Sequence, residues 1–133
     1  GASVFMADLC RHIKTPVTFD FMAVSSYGAA TKSSGVVRIT KDLDVDVTGK
    51  DIILVEDIIS SGLTVTYIKR VLQARSPKSV ELCALLLKQE ERIEEIEARY
   101  VGFEIPDVFV VGYGLDLAER FRNLPYIAAL QEI

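Results

Sequence analysis

Glu56 and Asp57 are adjacent carboxylates. Two isoleucines separate them from a run of small and hydroxyl-bearing residues, Ser60, Ser61, Gly62, Leu63 and Thr64. An apolar helical pattern begins directly after this run. A turn of small residues that opens into a helix is a seat for phosphate, because the unpaired N–H groups of the first helical turn converge on it. Gly62 lets the backbone come close, and Ser61 and Thr64 add hydroxyl donors. The run is not a Walker loop, since no GxxxxGK[ST] pattern is present. Carboxylates beside a phosphate seat need a cation between them and the phosphate, or sugar hydroxyls to accept from. Both point to a phosphorylated sugar handled with a divalent metal, magnesium by preference for phosphate oxygens.

The elements that hold these groups can be read from the flanks. Residues 52–55, Ile-Ile-Leu-Val, are a short β-branched run, as in a strand buried on both faces, with Glu56 and Asp57 at its end. Val65, Ile68 and Leu72 recur at helical spacing with Val71 beside them, which predicts a helix packed along one stripe. Upstream, residues 4–14 follow a helical pattern, and the single histidine, His12, falls at its C-terminal end as a surface residue. Residues 17–24 alternate and predict a strand. Residues 25–35 are small and polar and predict a loop, 36–39 a returning strand, and 41–50 a solvated acidic turn without the glycine and terminal glutamate of an EF-hand. Downstream, Arg75, Ser76 and Pro77 end the helix, and 80–87 form an apolar strand. Lys88 follows at its carboxyl end, where parallel sheets place their ligands. Residues 89–99 are densely charged and read as a short helix or an excursion with a solvated face. Residues 100–107 predict a strand and turn, and 126–130 a final strand. On pattern alone Phe109 reads as core, and residues 119–122 as a helix surface.

Bulk properties set the frame. The chain has 133 residues, half of them hydrophobic and 26% charged, which fits one α/β domain with a real core. A net charge of −4 argues against a broad nucleic-acid footprint, so no nucleic-acid partner is expected. No apolar run is long enough for a membrane span and no signal-peptide pattern is present, so a cytoplasmic protein is expected. Cys10 and Cys83 are far apart, each in an apolar stretch, and are expected to be reduced core residues. With one histidine they make a poor zinc set.

The segment VEDIISSGLT resembles the phosphoribosyl-pyrophosphate (PRPP) motif of the phosphoribosyltransferases, and more narrowly of the hypoxanthine phosphoribosyltransferases of purine salvage. The flanks agree: FMAVSSYG at 21–28, SSGVVRITKDLD at 33–44 and YVGFEIPDVFVVGYGLDLAERFRNLPYI at 100–127. The likeness covers almost the whole chain. It implies a type I phosphoribosyltransferase fold across 1–133, a mostly parallel twisted sheet flanked by helices with a mobile lid loop. It implies transfer of 5-phosphoribosyl from PRPP to hypoxanthine and guanine, giving IMP and GMP and releasing pyrophosphate, with Mg2+ as cofactor and a homodimer or homotetramer as the assembly. The resemblance places the 5-phosphate in the turn from Ser60 through Ser61, Gly62 and Leu63 to Thr64. Glu56 and Asp57 would address the ribose hydroxyls and the metal's hydration shell. Lys88 would bond the 6-oxo group of the purine, Phe109 would stack on its ring, and Val110 would pair with the base edge through its backbone. Asp116 would help hold magnesium, and Arg122 and Gly1 would contact pyrophosphate. Ser26 and Tyr27 would sit at the hinge of the lid. Because Gly1 corresponds to the end of a pyrophosphate-contacting loop, the resemblance also implies a chain whose N-terminal portion is missing.

Ser60 departs from the family pattern. Enzymes of this type carry an aspartate there, acting as acid/base toward the purine N7, and a neutral hydroxyl cannot accept a proton at pH 7 as a carboxylate does. Three explanations stand open. The serine is a substitution that traps a complex; a water or another acid replaces the aspartate; or the protein binds PRPP and purine with little turnover. The competing class is a non-catalytic PRPP- or nucleotide-sensing protein on the same fold. An acceptor at purine position 6 suits the Lys88 ammonium, whereas the amino group of adenine would set donor against donor, so a 6-oxopurine preference is expected.

Overall fold

The computed structural model describes residues 1–26, 37–89 and 96–131. In chain order the elements are α1 (Ala2–His12), β1 (Ala23–Ser26), β2 (Val37–Lys41), β3 (Asp51–Ile59), α2 (Leu63–Gln73), β4 (Ser79–Lys88), β5 (Tyr100–Ile105), β6 (Val110–Val111) and β7 (Ala128–Ala129). β3, β4 and β5 form a parallel sheet in that order. β1 pairs with β2, and β6 with β7, as small antiparallel ladders.

The β3–α2–β4 unit dictates the rest. Parallel neighbours need a crossover, and α2 supplies it. Its buried residues are Val65, Ile68 and Leu72, the stripe the spacing predicts. Ile59, Val65, Leu82, Ala84 and Leu87 make one core cluster, with Leu54, Ile96, Ala98 and Val101 against it. A second cluster sits at the carboxyl ends of the strands. There Leu85, Leu86 and Leu115 are buried, and Phe5, Ile58, Ile105, Val110, Tyr113 and Ile127 pack on them. This cluster ties α1, the three parallel strands and the β6 region to one end of the sheet. β4 is the central strand, buried continuously from Leu82 to Leu87. Gly102 of β5 is needed beside it, because a Cβ there would meet the Leu85 carbonyl at 2.6 Å.

Several expectations change. β3 runs to Ile59, so Glu56 and Asp57 lie inside the strand. It is not buried on both faces: Ile53 is 47% exposed, and β3 is also the edge of this sheet among the described residues. The strand expected over 17–24 is confined to its last two residues, continuing into Ser25 and Ser26. In place of a ladder, the Asp20 carboxylate accepts from the backbone N–H groups of Phe21 at 2.8 Å, Asp44 at 2.8 Å and Val45 at 3.1 Å, fixing 20–21 as a loop. Cys10 is not a core residue, for α1 has no buried position, whereas Cys83 is buried; both are free thiols. His12 lies in the last turn of α1 with its Nδ1 2.9 Å from the Asp8 carbonyl. No helix forms at 119–122, where Ala118, Glu119 and Phe121 take positive φ angles of 51°, 64° and 77°. Ser26 ends β1, paired with Val37. Tyr27 and the rest of the expected lid to residue 35 lie outside the described residues, as do residue 36 of the expected returning strand and 90–95 of the charged stretch. Among the described residues, no helix is long and apolar enough to cross a membrane.

Candidate active site

The turn after β3 is built as a seat for an anion. Gly62, the N-cap of α2, takes φ 85°, a left-handed conformation that costs a side-chain-bearing residue about 1–2 kcal/mol. The helical ladder starts with the Thr66 N–H donating to the Gly62 carbonyl at 3.0 Å. Ser61 Oγ accepts from the Leu63 N–H at 3.3 Å. The Thr64 and Val65 N–H groups have no hydrogen-bond partner among the described residues, and the first turn carries no acidic side chain. The positive end of the helix dipole therefore faces open space. An open cleft of about 220 Å³ lies there, lined by Glu56, Ile58, Ile59, Ser60, Ser61, Gly62, Thr64 and Val65. Glu56, Ile58 and Ser60 alternate along the chain, so strand geometry brings one carboxylate to the same cleft as the turn. Glu56 is half-buried. Desolvation first, and the adjacent Asp57 carboxylate second, push its pKa up to about 7.

Asp57 points elsewhere. Its Oδ1 accepts from the Ile58 N–H at 2.7 Å. A Cβ added to Gly1 would collide with Asp57 Oδ2 and would stand 3.5 Å from Arg122 Nη1, so Gly1, Asp57 and Arg122 share one corner. Gly114 packs on the Gly1 carbonyl closely enough to exclude any side chain there. Arg122 Nη1 donates to the Gly114 carbonyl at 2.7 Å. Its Nη2 lies 3.4 Å from Asp116 Oδ2 and 3.1 Å from Glu119 Oε1. The hydrogen bond to Glu119 first, then the charges of Asp116, Glu119 and Asp57, raise the Arg122 pKa above its ordinary value. Asp116 Oδ2 also accepts from the Glu119 N–H at 2.9 Å. A second open hollow, about 500 Å³, is lined by Glu119, Arg120, Phe121, Arg122 and Asn123.

Lys88 closes β4, in register with Ile105 at the end of β5. Its side chain is only 12% exposed, and its Nζ lies 3.4 Å from Asp107 Oδ1. Phe109, two residues further on, is 49% exposed. It is therefore not a core residue as its apolar neighbours imply. Its carbonyl accepts from the Leu130 N–H at 2.8 Å, which extends the β6–β7 ladder and leaves the ring at the surface. Val110 pairs with Ala129 and packs on the second core cluster.

Residues 1–118 match the model of the phosphoribosyl transferase domain. The chain is 56% identical over 131 residues to the hypoxanthine-guanine phosphoribosyltransferase of Bacillus subtilis, covering 98% of this chain and 73% of that protein. The chain belongs to the hypoxanthine-guanine phosphoribosyltransferase family. It is 54% identical to the family member from Mycobacterium avium, of which it spans 64%. The crystal structure of a hypoxanthine phosphoribosyltransferase from Staphylococcus aureus superposes with a TM-score of 0.95 at 49% identity, over 98% of this chain and 71% of that one. The fold is accordingly the type I phosphoribosyltransferase fold.

Against that fold, the sequence-predicted residues fall into three places. Glu56, Ser60, Ser61, Gly62 and Thr64 meet at the cleft, with Leu63 in the first turn of α2. Gly1, Asp57, Asp116 and Arg122 meet at the corner. Lys88, Phe109 and Val110 lie around the ends of β4 and β6. Sequence reasoning missed Glu119, whose carboxylate holds Arg122 although it was placed on a helix surface. It also missed Asp107, and Tyr113, whose hydroxyl bonds Asp8 of α1 and ties that helix to the 112–116 turn. The i, i+3 spacing of Asp116, Glu119 and Arg122 was the available signal for Glu119. Nothing local marked the other two.

Proposed function

We propose that this chain transfers 5-phosphoribosyl from PRPP to hypoxanthine, and to guanine, giving IMP or GMP and pyrophosphate. The observation that carries the reading is the single cleft in which the unpaired N-terminal amides of α2, the Ser60 and Ser61 hydroxyls and the half-buried Glu56 converge. Amides and hydroxyls would hold the 5-phosphate dianion, and Glu56 would accept from a ribose hydroxyl. As C1 of the ribose takes on oxocarbenium character and the pyrophosphate leaves, charge builds on the leaving oxygens. Arg122, held in place by Gly114 and Glu119, would stabilise that charge. Lys88 would donate to the 6-oxo group, Val110 would pair with the base edge through its backbone, and the exposed ring of Phe109 would stack on the purine.

The carboxylates fit a magnesium ion of the kind that arrives with substrate phosphates. Both polar contacts of Asp116 fall on Oδ2, leaving Oδ1 without a partner among the described residues. No cluster of three or more ligating side chains stands ready among the described residues, in keeping with an ion that keeps waters and substrate oxygens in its shell. Asp116, with Asp57 and Glu56 toward its hydration shell, would hold it, and its charge would neutralise the leaving pyrophosphate.

The neutral Ser60 is the one observation that favours the second reading, a PRPP-binding protein with little turnover. Pyrophosphate release, measured with PRPP, Mg2+ and each of hypoxanthine, guanine and adenine, decides. The proposal expects release with the two 6-oxopurines and none above background with adenine. Faster release with adenine than with hypoxanthine overturns the base assignment, and binding of PRPP without release with any base leaves the sensor reading in its place.

A further inference from the structure

The ion pair between Lys88 and Asp107 is unused by the chemistry above. We propose that Asp107 is a positioning residue for base recognition, anchoring the Lys88 ammonium so that its remaining donors meet an acceptor at purine position 6. The proposal rests on the reading of Lys88 as the 6-oxo donor.

The geometry is specific. Lys88 is the last residue of β4, and its side chain is 12% exposed while that of Asp107 is 42% exposed. The lysine therefore runs under cover and surfaces at the carboxylate, Nζ to Oδ1 3.4 Å. Asp107 sits on the turn that leaves β5. Pro106 fixes the backbone there, and the Val108 N–H donates to the Pro106 carbonyl at 2.8 Å, making the turn tight. The Gln89 N–H donates to the Ile105 carbonyl at 3.1 Å, so the strand ends bearing Lys88 and Asp107 are held together by backbone. Phe109 follows Asp107 by two residues on the same turn and presents its ring at the surface. One short turn thus carries both the carboxylate that holds the lysine and, two residues on, an exposed aromatic ring.

The physical need is clear. An ammonium on a four-carbon stem has three donors and no fixed direction, and it loses much rotamer freedom when it commits to one acceptor. An anchored ammonium has lost that freedom before the base arrives, so binding energy is not spent on ordering it. The pair also stays charge-balanced when the site is empty, which a lone, mostly covered ammonium would not. Because Asp107 is partly exposed and asparagine keeps a side-chain oxygen that can accept from the ammonium, Asp107→Asn leaves Lys88 an acceptor, and its effect should fall on the base.

The test uses equilibrium binding of two probes, IMP and ribose 5-phosphate, so that it does not depend on turnover. The variants are Asp107→Asn, Asp107→Glu, Lys88→Gln and the Asp107→Asn/Lys88→Gln double. The expected result is that Asp107→Asn weakens IMP by about 10-fold while ribose 5-phosphate is unchanged. Asp107→Glu recovers most of the loss, and the double variant binds IMP no more weakly than Lys88→Gln alone, because the two residues act as one unit. If Lys88→Gln weakens IMP and Asp107→Asn does not, the positioning role is wrong and the reading of Lys88 stands. Unchanged IMP binding in Lys88→Gln overturns the reading of Lys88 and this inference with it. Equal losses for both probes in Asp107→Asn mean a general structural role and overturn the inference alone.

Discussion

The 60–64 turn and the 112–122 loop both present polar groups at the carboxyl end of the sheet, yet they are built in opposite ways. The turn is local. A strand, three residues and a helix place its donors, and one left-handed residue, Gly62, suffices. The loop is assembled. Gly112 and Gly114 take φ 96°, and Tyr113, Ala118, Glu119 and Phe121 are left-handed without being glycine. Its shape is held from outside itself, by Tyr113 on Asp8 of α1, by Gly114 against Gly1, and by Leu115 in the second core cluster. Left-handed conformations in side-chain-bearing residues persist only where the surroundings over-determine them. The difference teaches that an open helix N-terminus flanked by hydroxyls and a carboxylate can be encoded by nine consecutive residues or so. A guanidinium aimed by two acids and a backbone carbonyl needs the whole fold.

The largest expected effect breaks the assembled loop. A Cβ at Gly112 would collide with the Tyr126 carbonyl, so Gly112→Ala adds backbone overlap to the left-handed penalty. The expected loss is roughly 3 kcal/mol or more in chemical denaturation. Gly49→Ala is the control: it shares a positive φ, 71°, but opens onto empty space, so only about 1–2 kcal/mol is expected. Equal losses in the two variants would mean that contacts beneath the loop do not over-determine it.

A smaller effect sharpens the other side of the comparison. Glu56 has its pKa raised from the ordinary 4.5 to about 7 in the folded state, so the folded chain binds more protons than the unfolded one between those values. Stability from this residue is therefore fully present below pH 4.5 and is lost as pH rises through about 7. Glu56→Gln should remove that slope and stabilise the protein above pH 7 by roughly 1–3 kcal/mol. Thermal melts from pH 4 to 9 (about half-unit steps) check it; a slope unchanged by the substitution would mean that Glu56 is solvated as an ordinary carboxylate.

Legibility follows the same division. The α2 stripe of Val65, Ile68 and Leu72 and the central strand β4 are patterns of neighbours, and they stand in the structure as the spacing implies. The turn's residue types pointed to an anion, and the open helix N-terminus on which that reading rests is present in the structure. The Glu56 shift was illegible because it comes from burial, which depends on what packs around β3. Phe109 was misread on pattern alone because an aromatic flanked by valines looks the same whether its ring faces core or water. Glu119 and Arg122 looked helical because i, i+3 spacing is the same in a helix and in a loop that folds back on itself. The 17–24 alternation promised a strand, but the Asp20 carboxylate takes the Phe21 N–H and ties the segment to the backbone of Asp44 and Val45 instead. The resemblance to the family, not pattern, is what pointed to Lys88, Asp116 and Arg122 together.

The proposed function turns on whether the turn after β3 would seat the phosphoribosyl group and whether Ser60 leaves it without a carboxylate to handle the proton. The measurement is the rate of IMP formation from hypoxanthine, PRPP and Mg2+ for the native chain and for Ser60→Asp, with PRPP affinity measured alongside. A rise of about 10²-fold or more in Ser60→Asp, at unchanged PRPP affinity, is the predicted result. Equal rates in the two proteins would contradict it and place proton transfer on another group.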